Sequence, residues 1–300
     1  WETIHDGREY ISIEPGMARV VASDEEPTPP RETDDPLRIL AALASPLLNP
    51  DLPEDDDNQP DPIDLRGRIE LFRRLEGGAA AAVIDVHRHV GWSDLSAELA
   101  KGTDVLHLTA HGNVDLVALE KRDWTVEQVT GDALTRRVVR SGAQLVVLEC
   151  CLSAAGGPGG YPALADRLVQ AGVPAVAGMS GSVWGEGADL FAQEFYSDAL
   201  RAIDLIDAAA LARMQMRDAC ERSGLKTARG HWAFPVLCLH RATLTDGPPG
   251  LPYQHGEIQI AGDAGPWPDP TLRPRRDFVG RRQFLVDLAR ALDPEATQPD

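Results

Sequence analysis

The stretch QLVVLECCLSAAGG, residues 144–157, decides how the rest of the chain is read. Leu145 to Leu148 form a short apolar run with β-branched residues, uncharged until Glu149, and small residues and glycine follow. Such a run, too short for a helix and bounded by turn residues, predicts a buried strand. Upstream, GDALTRRVVRSG (131–142) has helical spacing and stops at Gly142, a residue type that commonly ends helices. Downstream, the loop AGGPGG (155–160) leads into the helix ALADRLVQAG and then the apolar strand VPAVAGM (173–179). Strand, helix and strand in that order imply parallel pairing.

The same alternation extends outward in both directions. LRILAALA (37–44), AAAAVIDV (79–86), DVLHLTA (104–110) and HWAFPVLCL (231–239) read as further strands. Helices are expected over DLRGRIELFRRL (64–75), with Asp64 as N-cap, from Ser93 or Asp94 through Leu99, and over 188–202 and 208–224. The expected fold is α/β, a mostly parallel sheet of about six strands covered by helices on both faces. In such sheets chemistry gathers at the carboxyl ends of strands.

Two strands end in side chains suited to chemistry there: 104–110 at His111, and 144–150 at Cys151. A cysteine nucleophile acts as thiolate, and an imidazole beside it supplies or stabilises that form. Gly112 follows the histidine, and Ser153 to Gly156 follow the cysteine. Small residues at those points let a substrate carbonyl approach backbone N–H groups, as an oxyanion site requires. Side chains alternate along a strand, so Glu149 and Cys151 share a face while Cys150 points the other way. Cys151 is then the functional cysteine and Cys150 the structural one. Glu149 is either a strand-end acid paired with an arginine such as Arg137 or Arg140, or a carboxylate that receives a substrate cation. His107 reads as a hydrogen-bonded core residue. His87 and His89 end another strand with no carboxylate pattern expected around them. The AGGPGG loop fits neither G-x-G-x-x-G nor G-x-x-x-x-G-K-[ST], and reads as an active-site loop rather than a phosphate cradle. Trp184, in SGSVWGEG after the 173–179 strand, is a candidate for the substrate cleft.

Composition narrows the partners. The formal charge is −18, from 29 basic and 47 acidic side chains in 300 residues. Such a charge disfavours nucleic acid or an anionic membrane as partner. Residues 1–65 carry 17 of the acids against 4 arginines, so the body is only mildly acidic. The segment 23–36 reads as a linker, and 49–62 as an acidic, proline-rich loop. Cys150 and Cys151 are adjacent and no C-x-x-C unit is present, which suits a reduced, cytoplasmic chain without a structural zinc. No run of about 18 apolar residues marks a transmembrane helix.

Taken together, VLHLTAHG (105–112) and LVVLECCLSAAGG (145–157) resemble the histidine and cysteine motifs of caspase-like cysteine peptidases, and in particular the CHAT domain. The resemblance spans roughly residues 36–241. It includes the opening LRILAALASPLLNPDLP with the DLRGRIELFRRL helix, the strand 173–179, the helix 188–202 with Phe195 and Tyr196, and the closing HWAFPVLCL. It implies a caspase-like α/β/α sandwich and endopeptidase activity without a cofactor or metal. By the same resemblance His111 is the catalytic histidine, Cys151 the nucleophile, and the amides of Gly112 and Cys151 the oxyanion donors. Cys150 brings the segment closer to the metacaspase motif Asp-Cys-Cys-His-Ser-Gly, although Leu152 stands where that motif has histidine. Glu149 then matches the acid that binds a basic side chain, which implies protein substrates cut after Arg or Lys. RPRRDFVGRRQFLVDLARAL (273–292) resembles the start of the nucleotide-binding module of STAND-type signalling ATPases. The expected organisation is an acidic segment over 1–35, a peptidase-like domain over 36–245, and over 246–300 a linker leading toward a regulatory domain.

Overall fold

A computed structural model describes residues 17–31, 35–53, 56, 59–75, 81–157, 161–183, 185–223, 230–244, 250–251 and 256–262. In chain order the strands are β1 (Arg19–Val21), β2 (Leu37–Leu43), β3 (Ala82–Arg88), β4 (Val105–Thr109), β5 (His111–Gly112) and β6 (Leu116–Glu120). They continue with β7 (Val126–Thr130), β8 (Leu145–Glu149), β9 (Ala175–Met179), β10 (Pro235–His240) and β11 (Ile258–Gly262). The helices are α1 (Leu65–Arg74), α2 (Trp92–Ala100), α3 (Gly131–Ser141), α4 (Leu164–Gln170), α5 (Gly185–Ala199) and α6 (Leu205–Ser223).

Eight strands form one sheet in the order β1-β10-β9-β8-β4-β2-β3-β11. Every pairing is parallel except β9 with β10. The six strands expected from the sequence form its interior, so the α/β fold is as anticipated. The two extra strands are its edges. β1 pairs with β10 and β11 with β3, segments remote in sequence; the short alternating piece EIQIAG (257–262) is the local mark of β11. Both lie in segments read from the sequence as outside the 36–245 domain. The presumed linker is also tied down: Thr28 N donates to Gly172 O (2.7 Å), Ser23 Oγ to Gln170 O (2.6 Å), and Arg31 pairs with Asp104 (2.9 Å).

Alternation along the strands divides the core in two. Ile39, Val147, Ala177 and Leu237 pack on the side covered by α1, α5 and α6. Leu40, Val146, Leu148, Cys150 and Val176 pack on the side covered by α2, α3 and α4. Burial on this scale, at roughly 25 cal/mol per Å² of apolar surface, is the main stabilising term.

The helix boundaries follow local chemistry. Asp64 caps α1 as expected, its side chain accepting from Gly67 N. α3 ends at Gly142 in the left-handed conformation (φ +82°), also as expected. The start of α2 differs: Gly91 is the N-cap, not Ser93 or Asp94, and the first turn gains Asp94 near the positive end of the helix dipole. The three-stranded antiparallel sheet β5-β6-β7 was not anticipated. It inserts between β4 and α3 and carries the segment that follows His111.

Candidate active site

Register determines which residues meet. Leu43, Thr109 and Glu149 are direct partners across β2, β4 and β8. Ser45, His111 and Cys151 each lie two residues further on, so the three leave the sheet at one level. The histidine and the cysteine therefore emerge from neighbouring parallel strands at the sheet's centre.

Close packing brings their backbones together. A Cβ added at Gly112 would lie 3.0 Å from Cys150 Cβ, 3.3 Å from Leu116 O and 3.4 Å from Cys151 O. A side chain at 112 would push the cysteine turn back by a few tenths of an ångström, so glycine suits this close approach. On the far side the turn is bound to β9. Ser153 Oγ accepts from Met179 N (3.0 Å), and Ala154 N donates to Met179 O (2.9 Å). Leu152, directly after Cys151, adopts φ +60°, a conformation costly for a non-glycine residue and held here by those bonds.

The two adjacent cysteines differ in surroundings. Cys150 is buried in the α2/α3/α4 core with its Sγ 3.7 Å from Leu108 O. Burial pushes its thiol far above the ordinary range, and Cys151 and Glu149 add to the shift. Cys151 is partly exposed. No disulfide joins any of the four cysteines.

His111 Nε2 lies 2.6 Å from the carbonyl oxygen of Asp61. A carbonyl only accepts, so Nε2 donates, and in the neutral ring Nδ1 keeps the lone pair. Asp61 is held in turn through its loop. Ile63 N donates to Ser45 Oγ (2.8 Å), and Ser45 N donates to the buried carboxylate of Glu120 (2.8 Å). Glu120 also accepts from His89 Nδ1 (2.8 Å), whose ring meets Trp124 edge-on. Asp61, Ser45 and Glu120 were not singled out from the sequence. A backbone carbonyl carries no side-chain signature, and Glu120 comes from the unanticipated hairpin.

Glu149 faces the other helical layer. Its Oε2 pairs with Arg68 Nε of α1 at 2.7 Å and accepts from the Thr109 hydroxyl at 2.8 Å. The arginine is thus Arg68, not Arg137 or Arg140. Those two sit on α3, which covers the opposite face, and Arg137 donates to Ser96 O. Arg68 also bridges to Asp189 and to Gly185 O, at the start of α5. His107 completes the group, with Nε2 against Thr109 Oγ1 (3.1 Å) and Nδ1 against the Tyr196 hydroxyl (3.3 Å). It is a hydrogen-bonded core residue, as read from the sequence. Burial alone raises the Glu149 carboxyl, but Arg68, His107 and the Thr109 hydroxyl outweigh it and bring it down to about 2. Among the described residues the second oxygen, Oε1, is buried without a hydrogen bond.

Contrary to the sequence reading, carboxylates surround the other two strand-end histidines. Asp85, His87 and Glu98 present ligand-type atoms within 4.8 Å of one another on β3 and α2. Lys101 already holds both oxygens of Glu98, at 2.6 and 2.8 Å. Trp184, residues 158–160 of the glycine-rich loop and the segment 273–292 lie outside the described residues. No helix among the described residues is long and apolar enough to cross a membrane.

A mostly parallel sheet between two helical layers, with histidine and cysteine at adjacent central strand ends, is the caspase-like α/β/α arrangement. The CHAT domain matches residues 66–243, more than half of the chain, and the chain belongs to that family. Among solved structures it is similar to the Arg-specific cysteine proteinase gingipain R, 12% identical over 72% of this chain and 48% of that one (TM-score 0.46). It is also similar to a chain of the Saccharomyces cerevisiae separase–securin complex, 13% identical over 82% of this chain and 13% of that one (TM-score 0.41). A third is caspase-1 from Spodoptera frugiperda, 11% identical over 83% of this chain and 100% of that one (TM-score 0.36). The chain thus spans under half the length of the gingipain chain. No curated protein matches it.

Proposed function

We propose that the chain is a cysteine endopeptidase acting on protein substrates. The observation that carries this reading is the register Thr109 with Glu149, which sets His111 and Cys151 at equivalent positions beyond neighbouring strands. His111 Nδ1 takes the Cys151 proton, and Sγ attacks the scissile carbonyl. The backbone amides of Gly112 and Cys151 hold the oxyanion that forms. The C–N bond then breaks as the imidazolium protonates the leaving amine, and water hydrolyses the thioester with His111 as base. The Asp61 carbonyl supports this cycle by keeping Nε2 as the donor nitrogen and fixing the ring's orientation.

The finer reading is cleavage after Arg or Lys. Glu149 ends β8 two residues before the nucleophile, and its Oε1 is a buried acceptor without a hydrogen bond among the described residues. Leaving such an acceptor unsatisfied costs about 1–3 kcal/mol, which a substrate cation recovers. We further read the activity as regulated, in a reducing cytoplasmic setting, by a domain C-terminal to this chain, as the STAND-like motif at 273–292 suggests.

Fluorogenic peptides ending in Arg, Lys or Asp before a coumaryl amide test both levels. Cleavage after Arg and Lys is expected, abolished by Cys151→Ala, with the basic preference lost in Glu149→Gln. Turnover that survives Cys151→Ala refutes the peptidase reading. Preference for Asp, or an unchanged preference in the Gln variant, refutes the basic specificity. A folded chain that cleaves nothing is a silent interaction module instead.

A further inference from the structure

β2 leads into α1 on one face of the sheet, whereas β4 leads through the hairpin into α3 on the other. The two strands are neighbours, so the chain diverges between their carboxyl ends and leaves a crevice. Open α/β sheets bind ligands at such points of divergence. An open cavity of about 340 Å³ lies on this side of the molecule, between residues 49 and 59–61 and the β5-β6-β7 sheet. His111 and Gly112 are among its lining residues, whereas Cys151 and Glu149 are not.

That asymmetry has a chemical meaning. During cleavage the acyl half of the substrate stays on Cys151 Sγ, while the departing amine must reach the proton on His111. A cavity bordered by the histidine but not by the nucleophile lies on the amine side of the bond. We infer that it is the subsite for the residue following the scissile bond, and that it selects an uncharged, apolar side chain such as leucine or methionine.

The wall chemistry supports that choice. Leu116 and Ala118 of β6, with Val126 of β7, form an apolar floor. Gln59 is spent inside its own loop: Oε1 accepts from Asn49 N (2.7 Å), and Nε2 donates to Asn49 O (3.0 Å) and Pro53 O (2.9 Å). Its amide therefore stiffens the wall rather than binding substrate. Among the described lining residues Asp61 is the only ionisable one apart from His111, so an acidic side chain meets no counter-ion there. Apolar contact in a pocket of this kind discriminates side chains by roughly 10–200-fold.

The inference rests on the peptidase reading, and the two are tested separately. Peptides with one fixed acyl half and Gly, Leu, Met, Asp or Lys after the scissile bond are compared with the coumaryl amide, which has no residue there. Expected is a kcat/KM at least about tenfold higher for Leu and Met than for Gly or Asp. Gln128→Glu places a charge at the exposed mouth and should raise the Lys-to-Leu ratio by about two- to fivefold. A flat or Asp-favouring profile, or an unaltered ratio in the variant, overturns the subsite while coumaryl-amide turnover leaves the peptidase reading standing. No turnover of either substrate type overturns both.

Discussion

The two faces of the sheet meet the end of β8 on different terms. Toward α1 and α5, Glu149 enters a buried group of charged and polar side chains, Arg68, Thr109, His107 and Tyr196, with the partly exposed Asp189 at its edge. Toward α2, α3 and α4, the next residue, Cys150, enters an apolar layer with Leu148, Ala110 and Leu134. Between them Cys151 emerges at the rim. The difference teaches how one turn is held. The polar face anchors by directional bonds that tolerate no missing partner, the apolar face by packing that tolerates small changes.

Removing one side of the polar group should therefore give the largest effect. Arg68→Ala leaves Glu149 buried and uncompensated, and is expected to cost about 3–5 kcal/mol in urea unfolding. Replacing both partners, Arg68→Met with Glu149→Leu, should recover most of that loss; a double variant as unstable as Arg68→Ala breaks the comparison. The next effect is on pH dependence. The Glu149 carboxyl is lowered from 4.5 to about 2 in the folded protein, so its stabilisation is complete above the unfolded value and fades as pH falls toward 2. The urea midpoint should drop over that window, and Glu149→Gln should flatten the drop. On the apolar face, Cys150→Ala removes one sulfur and is expected to cost only about 1 kcal/mol. A cost equal to that of Arg68→Ala contradicts the distinction between the faces.

Legibility in the sequence follows the same division. The six interior strands are apolar runs with clear stops, and alternation alone set Glu149 and Cys150 on opposite faces, although β8 ends at Glu149 and Cys151 lies in the turn beyond it. What escaped depends on distant partners. β1 and β11 exist through pairings such as Arg19 with Cys238 and Ile258 with Ala82. The β6–β7 hairpin mixes charges into its strands and turns through Lys121 to Thr125, without the Asn-Gly or Asp-Gly signal that marks tight hairpins. Arg68 lies 81 residues from Glu149 in the chain, and proximity in sequence pointed instead to arginines on the wrong face. The Asp61 carbonyl, which holds His111, is a backbone atom any residue supplies. Motif marked the proposed pair, His111 and Cys151, while the groups that hold it came from tertiary structure.

The central claim is that His111 activates Cys151. Timed alkylation of the native chain with iodoacetamide, read cysteine by cysteine by mass spectrometry, tests it without knowledge of the substrate. The account predicts that Cys151 is modified well before Cys150, Cys220 and Cys238, and that His111→Ala slows Cys151 by about a hundredfold or more, the lower end of the 10²–10⁴ that positioned acid–base groups contribute. Cys151 reacting no faster than Cys220, or at the same rate with and without the imidazole, would contradict it.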